Sequence, residues 1–370
     1  MSEATAATTG ATPDPESVAS TDARSVEPTM PLFERFPRLA SRIPRAALGQ
    51  FPTPIEAAPR LGEALGLAPL EATSLFVKRD DVSGERYGGG KTRKLELFLG
   101  DAIRLAERDA TPRERRLVTF GGVGSNQAVA TAIYGEHLGF TVELWLAAQP
   151  ESDLVRENLT RLTQTRAFVR RCDGVADAEA RAERRARHDP SLYVIPAGGT
   201  TPLGTLAFVS AGLELAQDFR SGRAPTPARI YAALGSGGSA VGLAIGLAIA
   251  QVDTTVVAVR ASSPETSSAA RLLAHARETV AYARALDPSF PAIDAPLERL
   301  RIDGRFLGRG YGAPTEAGEK ARASAAAAGL PLESVYTGKT LASLAKDARD
   351  GVRGPWLFLD SQSSRGAPTL

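Results

Sequence analysis

Lys91 lies in the run Gly88-Gly89-Gly90-Lys91-Thr92-Arg93-Lys94-Leu95-Glu96, where three consecutive glycines strip side chains from the approach to one amine. Glycine allows unusual dihedrals and close backbone approach, so a tight turn can present Lys91 into a cleft. A helix-forming stretch, 94–102, follows at once. An amine so placed can form a Schiff base with a carbonyl compound, pyridoxal phosphate above all. The bland alternative is a glycine turn leading into a solvated basic helix.

Two later units share one design. A short apolar strand at 117–120 runs through Gly121 to Gly124 into a helix at 125–138. Ser125 is a good N-cap, and Asn126 and Gln127 occupy the first turn, whose free N–H groups attract a carboxylate or phosphate. Further on, a strand at 230–234 leads through Gly235-Ser236-Gly237-Gly238-Ser239 to a helix at 240–250. That loop has the chemistry of a phosphate cradle, yet lacks the Lys-Ser/Thr ending of a P-loop and the full dinucleotide spacing. Each loop alone could equally be a plain strand-to-helix turn. The C-terminal part adds Gly308-Arg309-Gly310-Tyr311-Gly312 and Val335-Tyr336-Thr337-Gly338-Lys339, then a strand at 356–359 and Asp360-Ser361-Gln362-Ser363-Ser364. A tyrosine between glycines can face a ligand ring or simply cap the core.

The elements that must position these residues alternate. Strands at 75–78, 117–120, 141–146, 167–170, 192–195, 230–234, 256–259 and 356–359 are separated by helical stretches, which predicts an α/β fold of parallel sheets covered by helices. Ligands bind such sheets at the carboxyl ends of the strands, where the glycine loops should lie. The 370 residues suffice for two lobes. A formal net charge of +2 is too small to imply a nucleic-acid partner, and arginine-rich stretches alternate with acids as solvated helix faces. One cysteine, Cys172, excludes an internal disulfide, and three scattered histidines, His137, His188 and His275, show no metal-ligand spacing. No apolar run reaches membrane-spanning length. Residues 1–30 are rich in Ala, Thr, Ser, Pro and Glu, predicting a disordered leader that makes a poor signal peptide, so a cytoplasmic protein is the default expectation.

With these pieces in order, the sequence resembles the D-cysteine desulfhydrase and 1-aminocyclopropane-1-carboxylate (ACC) deaminase family. The marks are VKRDDVSG, GGGKTRKLE, GGVGSNQAVATAIYGEHLG, PAGGTTPLGTLAFVSAGLELA, ALGSGGSAVGL, RGYGAPTE and VYTGK, spread over nearly the whole chain after residue 51. The resemblance implies the two-lobed, three-layer αβα fold of tryptophan-synthase β-like (fold type II) enzymes, with pyridoxal phosphate in the interdomain cleft. It also implies a large domain of residues 31–93 and 205–370, a small domain of 94–204, and a homodimer. Lys91 would be the Schiff-base lysine and Lys94 a phosphate contact, with Ser236, Gly237, Gly238 and Ser239 cradling the phosphate. Asn126 would bond the cofactor's ring oxygen, and Ser125, Asn126 and Gln127 the substrate carboxylate. Tyr311 and Tyr336 would flank the substrate, while Thr337 and Ser361 would meet the pyridine nitrogen.

ACC deaminases carry a glutamate after the second tyrosine and a leucine in the final strand-end motif. Thr337 and Ser361 instead match the hydroxyl pair of D-cysteine desulfhydrases, favouring β-elimination from D-cysteine or another β-substituted alanine, an amino-acid substrate. ACC deamination, cysteate sulfo-lyase activity (with Arg309 a candidate cation) and a cofactor-binding protein with little turnover stay open. The family's usual Gly-Gly-Asn before the lysine reads Gly-Gly-Gly here, and its usual His-Thr-Gly-Gly ending reads Asp360-Ser361-Gln362-Ser363.

Overall fold

The computed structural model describes residues 1, 30–108 and 114–364. The expected leader lies outside them save for its two ends, of which Met30 is buried. Among the described residues the strands are β1 (Ile55–Ala57), β2 (Leu75–Arg79), β3 (Arg116–Gly122), β4 (Thr141–Ala147), β5 (Phe168–Cys172), β6 (Leu192–Ile195), β7 (Arg229–Leu234), β8 (Thr255–Arg260), β9 (Leu300–Asp303) and β10 (Trp356–Asp360). They form two sheets, a six-stranded one in the order β1-β2-β10-β7-β8-β9 and a four-stranded one in the order β5-β4-β3-β6. Every pairing is parallel except β1 with β2.

Helices cover both faces of each sheet, which is why the central strands read as continuous apolar runs rather than alternating ones. In the larger sheet Tyr231, Val257 and Phe358 pack with Leu341 and Leu344 of the helix Thr337–Arg349. Their neighbours Ile230, Val256 and Leu357 face the opposite way, onto Phe208 of Pro202–Arg220 and Leu243 of Gly238–Ile249. Those two helices touch almost backbone to backbone. A β-carbon at Gly246 would lie 2.3 Å from the Val209 carbonyl oxygen, so no larger residue fits there. In the smaller sheet Leu117 and Val142 face Val129 and Ile133 of Asn126–His137, while Val118 and Phe120 face Ala178 and Ala182 of Val175–His188. The expected helix-covered αβα architecture is present, and no helix among the described residues is long and apolar enough to cross a membrane.

Several boundaries differ from expectation. The helix behind the triple glycine starts at Gly90 and runs to Glu107, so Lys91 sits in its first turn rather than in the preceding loop. Gly90 N–H donates to the Ser361 carbonyl at 3.0 Å, and Gly89, at φ +88°, makes the bend. Gly88 is forced by contact, because a β-carbon there would meet the Asp81 carbonyl oxygen at 1.8 Å. Strand β3 continues through Gly121 and Gly122, held by parallel pairing with Leu146 and Ala147. Strands β1 and β9 are too short to show a period in sequence, and the Tyr336-Thr337 motif opens a helix rather than a loop.

The helix Gly90–Glu107 joins the layers. Its Leu95, Phe98, Leu99 and Ala102 pack into the core of the smaller sheet and Leu97 into that of the larger. Burying each of these leucine and phenylalanine side chains is worth about 1.5–3 kcal/mol. Arg93, on the same turns, is 4% exposed and bonds both oxygens of Asp80 (2.7 and 2.8 Å) and of Glu214 (2.8 and 3.0 Å). Lys78 binds Glu214 at 2.6 Å and Asp218 at 2.8 Å, and Arg223 closes on Asp218. Three cations therefore face three carboxylates. Burial alone pushes the Glu214 carboxyl up, but Arg93 and Lys78 outweigh it and hold it down at about 2. Removing one partner of a buried pair strands the other. Arg93→Met should therefore cost about 3–5 kcal/mol in denaturant unfolding. Arg299→Ala, which breaks the exposed pair with Asp253, should cost less than about 1 kcal/mol.

Candidate active site

The strand ends after β3, β7 and β10 and the turn after β6 surround a cleft of about 330 Å³. Lys91, Lys94, Ser125, Asn126, Gln127, Ser236, Gly237, Gly238, Ser239, Tyr311, Tyr336, Thr337 and Ser361 all line it. Residues from six separated stretches of sequence thus meet at one place. Arg309, the candidate extra cation, is exposed and does not line the cleft.

Lys91 and Lys94 stand one helical turn apart and share a single acceptor. The Gly198 carbonyl receives the Lys94 ammonium at 2.9 Å and Lys91 at 3.4 Å. Neither forms an ion pair among the described residues, and no Asp or Glu lines the cleft. Burial lowers the Lys91 amine to about 8. Lys94 falls well below its ordinary value, through burial first and then the charge of Lys91. An amine of that kind is a nucleophile or base near neutrality.

Beside Lys94 is an anion cradle. Gly237, at φ +106°, is the N-cap of Gly238–Ile249 and offers no side-chain cap, leaving the first N–H groups without intrahelical acceptors. A β-carbon at Gly238 would sit 2.9 Å from Thr205 Oγ1, 3.0 Å from Lys94 Nζ and 3.0 Å from Thr200 Oγ1. Two hydroxyls and an ammonium thus converge on the space that glycine leaves open. Thr200 is held by Ser236 (2.6 Å) and Thr205 by His275 Nε2 (2.7 Å). Thr200, Thr205 and His275 were not predicted. Both threonines lie in the stretch PAGGTTPLGTLAFVSAGLELA without a role given to either, and His275 lies inside the helix Ala269–Leu286, where no local pattern marks it.

Across the cleft, Ser125 caps Asn126–His137 by accepting from Ala128 N–H at 3.3 Å. The Asn126 carbonyl oxygen receives Asn158 Nδ2 at 2.8 Å and the Tyr87 hydroxyl at 3.3 Å, so its amide nitrogen donates to Gln362 Oε1 at 2.5 Å. The Gln127 side chain turns back onto Thr131 at 3.0 Å, and its buried Oε1 has no partner among the described residues. Gln127 can therefore serve an anion through its backbone N–H.

The tyrosines form the third side. Their rings lie 6.3 Å apart, edge to face, and the Tyr336 hydroxyl donates to that of Tyr311 at 3.2 Å. Burial raises both, Tyr336 the more because Tyr311 adjoins it, so both hydroxyls stay protonated at neutral pH and Tyr311 keeps a free donor. Below them, Thr337 donates to the buried Glu333 carboxylate at 2.9 Å, which also accepts from the N–H groups of Val335, Tyr336 and Thr337. The Thr337 proton is thereby committed away from the cleft. The Ser361 hydroxyl has no partner among the described residues.

These residues fit pyridoxal phosphate. A reactive amine, a cationic cradle of dianion size at a helix start, and flanking aromatic rings surround one cavity. The comparisons agree. A family model described as "Pyridoxal-phosphate dependent enzyme" matches residues 46–358. The D-cysteine desulfhydrases of Salmonella choleraesuis (strain SC-B67) and Salmonella paratyphi B are each 30% identical over 342 residues, 89% of this chain and 96% of theirs. A crystal structure of an ACC deaminase homologue aligns with TM-score 0.72 and 26% identity, over 92% of this chain and 96% of its own. An O-ureido-L-serine synthase aligns with TM-score 0.58 and 14% identity over 85% of this chain and 88% of its own, a likeness of fold alone. The chain belongs to the pyridoxal-phosphate dependent enzymes, within the family of D-cysteine desulfhydrases and ACC deaminases.

Proposed function

We propose that this enzyme eliminates the β-substituent of a β-substituted alanine, converting D-cysteine and water to pyruvate, ammonia and hydrogen sulfide. The observation that carries the reading is the charge of the cleft, which has two lysines, two tyrosines and no carboxylate among the described lining residues. A carboxylate beside the pyridine nitrogen would keep it protonated and strengthen the electron sink; a hydroxyl does so less. Expulsion of a thiolate needs only the weaker sink, whereas opening a cyclopropane ring needs the stronger. The relatives named D-cysteine desulfhydrase support the same substrate.

When bound, pyridoxal phosphate withdraws electrons from the amino acid's α-carbon and so acidifies its proton. Lys94, the Thr200 and Thr205 hydroxyls and the N–H groups at Gly238 and Ser239 would hold the phosphate. Lys91 would hold the cofactor through its amine, and its Nζ would take the α-proton of the substrate. Its lowered basicity suits that task, because a base works best when its pKa lies near the working pH. The helix start at Ser125, Asn126 and Gln127 would orient the carboxylate. The free Tyr311 proton is available to the leaving group, and Ser361 is the hydroxyl free to meet the ring nitrogen.

Three outcomes follow. Purified protein should be yellow and release pyruvate and sulfide from D-cysteine, and Lys91→Ala should do neither; yellow wild-type protein inert to D-cysteine sinks this substrate and sends the assay to ACC and cysteate. Borohydride reduction after adding pyridoxal phosphate to apoprotein should leave the pyridoxyl group on Lys91 in peptide mass spectra. Because only the neutral amine reacts, labelling should rise with pH up to about 8 and then level off. A rate still climbing beyond pH ~10 would mean an ordinary lysine. Finally, general acids usually supply ~10²–10⁴-fold, but thiolate leaves readily, so Tyr311→Phe should lower kcat on D-cysteine by less than about tenfold.

A further inference from the structure

We propose that Gln362 is a substrate-binding residue that determines specificity, its side-chain N–H holding the amino acid's α-carboxylate together with Asn126. The inference rests on the amino-acid reading above and concerns a residue with no role so far.

A chain of donors and acceptors fixes how Gln362 is turned. Arg161 has only donors, and its guanidinium points at Asn158 Oδ1 at 3.1 Å. The Gly124 carbonyl has only acceptor capacity and takes Asn158 Nδ2 at 2.9 Å. Asn158 is thereby set with its nitrogen toward Asn126, whose Oδ1 it bonds at 2.8 Å. The Tyr87 hydroxyl lies on the same oxygen. Asn126 must then face the cleft with its nitrogen, which donates to Gln362 Oε1. Gln362 in turn has its oxygen occupied and its Nε2 left over. No group among the described residues accepts from that nitrogen, and the residue lines the cleft while only 6% exposed. Its backbone is held as well, since its N–H donates to Asp360 Oδ1 at 3.3 Å.

The position decides the ligand group. Asn126 opens the helix Asn126–His137, so the free Gln362 donor stands at that helix start, where unpaired N–H groups already favour an anion. An amide there adds a directed donor without adding a third cation to a cleft that already holds two. Its bulk also narrows the space beside Asn126, which favours small amino acids. The contact is therefore to the carboxylate common to such substrates.

Gln362→Glu separates this from a purely structural role. Glutamate has the same length and still accepts from Asn126, but it loses the donor and repels a carboxylate. Holoenzyme titrated with D-alanine, which carries the carboxylate but no leaving group, is followed by cofactor absorbance; D-cysteine turnover gives KM and kcat. Losing a charge-assisted hydrogen bond should raise the D-alanine Kd and the D-cysteine KM about 10- to 100-fold, with kcat within about threefold and the unliganded spectrum unchanged. Gln362→Gly, which removes the amide without adding charge, should raise both about 3- to 10-fold. A normal response in wild type with unchanged Kd in either variant overturns the Gln362 assignment alone. A wild-type holoenzyme whose spectrum responds to neither amino acid overturns the amino-acid reading and this assignment together.

Discussion

The first two turns of one helix place four charged side chains in the interior. Lys91, Arg93, Lys94 and Glu96 follow the glycines within six residues, and the protein satisfies each differently. Arg93 enters a closed network in which cations and carboxylates balance. Glu96, fully buried, ties down the N-terminal segment through Arg45 and the N–H groups of Leu48 and Gly49. Among the described residues the two lysines share one carbonyl oxygen and no carboxylate, and Lys94 also lies over the Phe208 ring at 5.7 Å. A buried ammonium without a counter-ion is costly, and the usual relief is a lowered pKa. Arg93 and Glu96 on neighbouring turns hold the helix where the lysines have no choice but to face the cleft.

From this constraint the cleft acquires its character. It is rich in donors and poor in acceptors, because two ammonium groups, helix N-termini from both sheets and several hydroxyls surround it without a carboxylate among the described residues. Such a cavity would be completed by molecules carrying their own anions, and pyridoxal phosphate would bring one in its phosphate. The parallel topology places these donors: the turns after strands β3 and β7, one from each sheet, both line the cleft, and each feeds a helix through glycines. One helix start lies by Lys94 and the other begins at Asn126, so one cavity offers two separate sets of free N–H groups to anions.

Much of this was legible in the residues. Lys91, the glycine loops and the two tyrosines carry local signals, because chemistry that needs close backbone approach leaves glycines in the sequence. Local pattern also supplied most central strands, whose apolar runs are hard to mistake. It failed where tertiary contacts decide. Gly90 begins the helix because Ser361, some 270 residues later, supplies an acceptor for its N–H. Thr205 reaches the cradle from the first turn of Pro202–Arg220 and His275 from inside Ala269–Leu286, where their spacing looks like ordinary helix. The hydroxyl pair Thr337 and Ser361 looked equivalent in sequence; only the fold reveals that Glu333 takes the proton of Thr337.

The altered strand end illustrates how a local departure can be absorbed. In place of the glycines of the pattern this chain resembles, it carries Gln362 and Ser363, both buried. Ser363 accepts the Gly88 N–H at 2.9 Å, so the triple-glycine turn is secured by a side chain of the replaced segment. Gly90 fits the same logic, since a β-carbon there would meet the Phe208 ring at 2.7 Å and Ser361 Cβ at 3.5 Å. Gln362 lines the cleft, whereas a side chain at position 90 would point at Phe208.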